Sequence, residues 1–143
     1  MATRLQNVMI EAHRGSSCDS PENSMAAFRR AVALGVHSIE LDIHESRDGE
    51  LVVMHDPTVD RTTDGTGAIA DLTVCALRRL DCGRWKGEAF AGERIPTLEE
   101  VLVFVASRNV CLNVEVKAFA PVAAPRVVWR SCCAATRRPH GRM

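Results

Sequence analysis

The sequence predicts an α/β domain built on a parallel sheet, and two observations predict it. Short apolar runs alternate with stretches of helical periodicity, and strands separated by helices pair in parallel. Within two of those runs, apolar and acidic residues alternate at every second position, which is the period of a strand. The chain has 143 residues, 46% of them hydrophobic and 25% charged. That is enough for one domain with a real core, and the composition argues against wholesale disorder.

The elements follow in order. Val8-Met9-Ile10 reads as a strand ending on His13. Pro21-Glu22-Asn23 opens a helix, with Asn23 as its N-cap. The helix runs through Phe28, Ala31, Val32 and Leu34, and Gly35 ends it. A second strand is predicted over residues 36–44, and Arg47-Asp48-Gly49 turns the chain into a third over residues 51–54. Residues 56–95 are loop-rich, with a short helix after Thr73, and read as an insertion rather than core. Thr97-Leu98-Glu99-Glu100 is a capping box that starts a helix to about Ala106. A fourth strand covers residues 111–117, and no internal repeat is present.

Period-two geometry sorts the chemistry. Ile39, Leu41 and Ile43 point toward covering helices, whereas Glu40, Asp42 and His44 point the other way. Leu112, Val114 and Val116 repeat the apolar face, opposite Asn113, Glu115 and Lys117. His13 and His55 stand at the ends of their own strands. Unpaired buried carboxylates cost several kcal/mol each, so a cluster of three needs a cation or protons. Oxygen donors favour a hard ion, Mg²⁺ or Ca²⁺, over zinc. Imidazoles and carboxylates along one sheet rim suit metal-assisted phosphoester hydrolysis. An antiparallel strand with one wet face would give the same alternation in either strand alone. His44 reads as a hydrogen-bonding group rather than a ligand, Gly65-Thr66-Gly67 as turn chemistry, and Arg61 as structural.

Composition excludes some classes. The 18 basic and 18 acidic residues balance, which gives no global pull toward nucleic acid or anionic membrane. Residues 118–143 contain five arginines and no Asp or Glu. No stretch approaches the ~20 apolar residues of a membrane span. No targeting segment is visible, because Val8-Met9-Ile10 is broken by Glu11. The six cysteines show no Cys-x-x-Cys spacing and are read as reduced thiols of a cytoplasmic protein.

Residues 8–117 resemble the amino-terminal half of the glycerophosphodiester phosphodiesterase family. The matching text is His13-Arg14-Gly15, Pro21-Glu22-Asn23-Ser24 with Ala27-Phe28, Gly35, and Ile39-Glu40-Leu41-Asp42. It continues through Asp48-Gly49, Val53-Met54-His55-Asp56, Asp60-Arg61-Thr62-Thr63, Gly65 and Gly67. Ile95-Pro96-Thr97-Leu98-Glu99-Glu100 and Asn113-Val114-Glu115-Val116-Lys117 complete it. The resemblance implies a (β/α)₈ TIM barrel with its site at the carboxyl ends of the strands, here about half a barrel. It implies a divalent cation, Mg²⁺ or Ca²⁺, on Glu40, Asp42 and Glu115. It implies His13 and His55 as the general base and acid pair, Arg14 and Lys117 on phosphate charge, and Glu22 at the rim; within the pair, His13 is read as the base and His55 as the acid. The implied reaction hydrolyses a glycerophosphodiester to glycerol 3-phosphate and an alcohol.

Residues 118–143 depart from the family pattern and are read as a divergent Arg-, Ala- and Cys-rich tail. The departure reads as an abrupt end to the homologous text, by frameshift or truncation. The competing expectation is therefore a non-catalytic remnant, or a chain that needs a partner. A half barrel also leaves two open sheet edges, which favour self-association.

Overall fold

The computed structural model describes residues 8–118. β1 (Glu11–His13) leads through α1 (Met25–Ala33) to β2 (Ser38–Glu45), and the two strands pair in parallel. β3 (Leu51–Val53) returns antiparallel to β2, after which the insertion carries α2 (Val74–Leu77) and two single-turn helical segments. α3 (Leu98–Val105) then leads to β4 (Cys111–Ala118), parallel to β2 along nearly its whole length. β2 is thus central. Among the described residues β1 and β4 each pair with β2 alone, so each has an open outer edge.

Ile39, Leu41 and Ile43 pack with Phe28 and Ala31 of α1 and Val101 of α3, as the two-residue period requires. Both helices therefore cover one face, and the acidic side chains of β2 occupy the other. The tail read over residues 118–143 lies outside the described residues, apart from Ala118.

Four local expectations change. The first strand begins at Glu11 rather than Val8, and Val8, Met9 and Ile10 are exposed. Only the Ile10 backbone is drawn in, its carbonyl accepting from the amides of His37 and Ser38 and its amide donating to His37 Nδ1. The N-cap of α1 is Ser24, whose hydroxyl accepts from the Ala27 amide, and not Asn23. Asn23 instead adopts φ 55° and spends its side chain on Asp42. β3 reaches the rim by running back along β2, because a tight turn can join only antiparallel neighbours. The insertion also builds a second core against β3, in which its Val59, Ile69, Leu77, Cys82 and Ile95 are buried together with Val52 and Met54. The short helix after Thr73 and the Thr97–Glu100 capping box of α3 form as expected, and Thr73 itself caps α2.

Candidate active site

The site is built on the face of β2 and β4 opposite the helices. Asp42 and Glu115 are direct cross-strand partners, and Glu40 precedes Asp42 by one full pleat. One oxygen each from Glu40, Asp42 and Glu115 lies within 4.8 Å of the others. Asp42 is fully buried and Glu40 nearly so, whereas the Glu115 side chain is 56% exposed. β4 slips register between the partners of Ile43 and His44, which leaves Lys117 as the extra residue of a bulge. Its ammonium lies 3.0 Å from Asp42 Oδ1 and 2.8 Å from Glu115 Oε1.

The loop after β1 supplies the second wall. Arg14 and Gly15 take consecutive left-handed conformations, φ 57° and 77°. A Cβ at Gly15 would meet the Ala27 Cβ at 2.7 Å, so only glycine fits where the loop crosses α1. This turn aims the Arg14 backbone amide at Glu40 Oε2, 2.9 Å away. The Arg14 side chain folds inward, with Nη1 donating to Glu22 Oε1 at 3.0 Å and Nε 3.4 Å from Asp42 Oδ2. Asn23 completes the grip on Asp42, its amide donating to Oδ2 at 2.8 Å.

Electrostatics divide the two buried acids. Burial pushes Glu40 above the usual carboxylate range, and the Asp42 charge adds to this against the Arg14 amide. Burial also pushes Asp42 upward, but the Asn23 amide, Lys117 and Arg14 outweigh it and hold the group below its ordinary value. For Lys117, burial opposes its charge, yet Glu115 and Asp42 win and raise it. Asp42 Oδ1 is buried without an aligned hydrogen-bond donor among the described residues, despite the nearby ammonium. Three converging carboxylates, one of them with a buried oxygen that among the described residues only the Lys117 ammonium approaches, form a donor set that fits a hard dication.

His13 Nε2 stands 3.9 Å from Glu40 Oε2 and its ring is 69% exposed. His55 faces Asp56, with Nδ1 2.6 Å from Oδ1. Arg61 hydrogen bonds, first of all, hold Asp56 well below the usual carboxylate range. His44 Nε2 donates to the His55 carbonyl at 3.0 Å, a hydrogen-bonding role as the sequence reading expected. In the Gly65–Gly67 turn the glycine amides donate to Thr63 and Asp60, which is turn chemistry.

The structure thus gathers Glu40, Asp42, Glu115, Lys117 and Arg14 around one point, with His13 beside Glu40. Sequence reading missed Asn23 as the holder of Asp42 and Asp56 as the partner of His55. The only available signal was their adjacency to Glu22 and His55, and adjacency in sequence does not specify a side-chain partner. No helix among the described residues is long and apolar enough to cross a membrane.

Comparison with known proteins places this geometry. The glycerophosphodiester phosphodiesterase of Caldanaerobacter subterraneus is 50% identical over 109 residues, covering 76% of this chain and 45% of that protein. Human glycerophosphodiester phosphodiesterase 1 is 46% identical over 112 residues, 76% of this chain and 34% of its own length. The crystal structure of a glycerophosphodiester phosphodiesterase from Agrobacterium tumefaciens superposes with TM-score 0.76 at 38% identity, over 78% of this chain and 48% of that one. An Oleispira antarctica phosphodiesterase in complex with the product sn-glycerol-3-phosphate gives TM-score 0.74 at 40% identity, over 77% and 44%. The chain spans less than half the length of the curated relatives named here. Its sheet and helices correspond to about half of the TIM barrel seen in these structures. The glycerophosphoryl diester phosphodiesterase family model matches residues 13–141, and the chain belongs to that family.

Proposed function

We propose that this chain carries the cation-binding and histidine portion of a phosphodiesterase site that hydrolyses glycerophosphodiesters to glycerol 3-phosphate and an alcohol. Glu40, Asp42 and Glu115 hold the dication, Mg²⁺ or Ca²⁺, and the observation that carries the reading is their convergence within 4.8 Å. When bound, the dication supplies positive charge against the phosphoryl oxygens. The complex of the Oleispira relative with sn-glycerol-3-phosphate supports the substrate class.

The chain's own residues do the rest. His13, exposed and beside Glu40, takes the proton of the attacking hydroxyl. His55 delivers a proton to the departing alkoxide from Nε2, the ring nitrogen turned away from Asp56. Lys117 and Arg14 offset charge on the phosphate, Lys117 from the bulge that lifts it toward the acids.

The test is release of glycerol 3-phosphate from glycerophosphocholine with Mg²⁺ or Ca²⁺. The expected result is cation-dependent release that His13→Ala reduces by about a hundredfold or more. Release that survives His13→Ala overturns the assignment. A second reading rests on the exposure of His13 and Glu115, which leaves the cluster walled on one side only. A chain that binds the cation but needs a partner chain to cover that side fits this exposure. Cation binding without turnover by the isolated chain is its signature.

A further inference from the structure

Arg61 lies in the insertion, yet its guanidinium engages two carboxylates at once. Nε and Nη2 donate to Asp56 Oδ2 and Oδ1 at 2.7 and 3.1 Å. Nη1 and Nη2 donate to Glu22 Oε2 and Oε1 at 3.1 and 2.7 Å. Both contacts are bidentate, a geometry that lysine cannot reproduce. Each carboxylate also touches a group of the site: Asp56 Oδ1 faces His55 Nδ1, and Glu22 Oε1 accepts from Arg14 Nη1. The Arg61 side chain is 45% exposed, and ion pairs at such exposure add little to stability. A doubly bidentate clamp there therefore asks for a reason other than holding the fold.

Resting on the reading of His55 as general acid, we propose that Arg61 is a positioning residue for the reaction. Through Asp56 it fixes the tautomer and tilt of His55, and its second contact, to Glu22, anchors the guanidinium itself. An Asp56 carboxylate that stays ionised can only accept, so the hydrogen in its contact with His55 belongs to Nδ1. Nε2 is then left to hold the transferable proton. As the bond from phosphorus to the departing oxygen breaks, that proton moves from Nε2 to the oxygen and the ring is left neutral. The His44 bond to the His55 carbonyl anchors the backbone of the same residue, so ring and main chain are gripped from two sides. Without Arg61 the Asp56 carboxylate is free to turn, and the imidazole loses its single orientation.

The test compares the wild-type chain with Arg61→Gln, Arg61→Lys, Asp56→Asn and His55→Ala on two diesters. Glycerophosphocholine loses an alkoxide that needs a proton, whereas the p-nitrophenyl ester of glycerol 3-phosphate loses a phenolate that does not. Arg61→Gln should lower kcat on the choline ester by about ten- to a hundredfold, as loss of an imidazole's orienting partner does, and leave the nitrophenyl ester nearly unaffected. Arg61→Lys should recover little. Combining Arg61→Gln with Asp56→Asn should cost no more than Asp56→Asn alone. Equal losses on both esters, or additive losses, would overturn the proposal. His55→Ala separates the two layers. If it fails to discriminate between the esters, the acid assignment itself fails; if it discriminates and Arg61→Gln does not, only the role of Arg61 fails. Nitrogen NMR of the His55 ring at mildly alkaline pH needs no turnover. It should show a single Nδ1–H tautomer that Arg61→Gln abolishes, and an unchanged tautomer would also overturn the proposal.

Discussion

Replacing Asn23 tests how the buried carboxylate is held. Asn23 is 4% exposed, sits at φ 55° and donates to Asp42 Oδ2 at 2.8 Å. Removing a hydrogen bond to a charged, buried acceptor costs about 2 kcal/mol. A left-handed backbone costs an alanine roughly 1 kcal/mol more and a glycine almost nothing. Asn23→Gly should therefore destabilise the chain by about 2 kcal/mol and Asn23→Ala by about 3 kcal/mol. Thermal unfolding should report about 4 °C for each of these kcal/mol, and urea titration gives the free energies directly. The order is the sharp part. If Asn23→Ala is no worse than Asn23→Gly, the left-handed conformation is not being enforced. If both cost less than about 0.5 kcal/mol, the bond to Asp42 is not holding the carboxylate.

Two further predictions concern the insertion. Asp81 accepts from the amides of Gly83, Arg84 and Gly92, and these bonds lower its pKa to about 2. Its folded value lies below the usual ~3.9, so its stabilisation is complete above about pH 4 and is lost as pH falls toward 2. Asp81→Ala should cost about 2 kcal/mol at neutral pH, with the gap to wild type narrowing in acid; a gap that widens in acid contradicts this. Burial, with help from Glu93 and Asp81, pushes the Cys82 thiol up to about 12. Iodoacetamide at neutral pH followed by peptide mass mapping should modify the exposed Cys18 and Cys75 and spare Cys82 until the chain unfolds. Equal labelling rates would refute the burial.

The parts of the fold legible in the sequence were those written in periodicity and capping. Ile39, Leu41 and Ile43 against Glu40, Asp42 and His44 announced which face of β2 meets the helices, because strand geometry leaves no choice. Thr97 and Glu100 announced the start of α3 because the capping box is local. Asn23 misled for a related reason. It and Ser24 are both good cap residues, and what separates them is the distant carboxylate of Asp42. The antiparallel return of β3 was implicit in the short Arg47-Asp48-Gly49 turn, which can join only antiparallel neighbours, but the parallel pairing expected of the sheet as a whole masked it. The convergence of Glu40 and Asp42 followed from spacing, but the approach of Glu115 depended on register between β2 and β4. The double clamp of Arg61 joins groups 5 and 39 residues away in sequence, and no local pattern encodes it.

Titration of the purified chain with Mg²⁺ or Ca²⁺, followed by thermal unfolding, addresses the three-carboxylate centre most directly. Binding to the folded state alone stabilises it by ~2.7 kcal/mol at a hundredfold excess over Kd, so the midpoint should rise with cation concentration. Glu40→Gln and Glu115→Gln should each flatten that rise. A wild-type midpoint indifferent to both cations, or a rise that survives either substitution, would contradict the assignment of Glu40, Asp42 and Glu115 as one cation site.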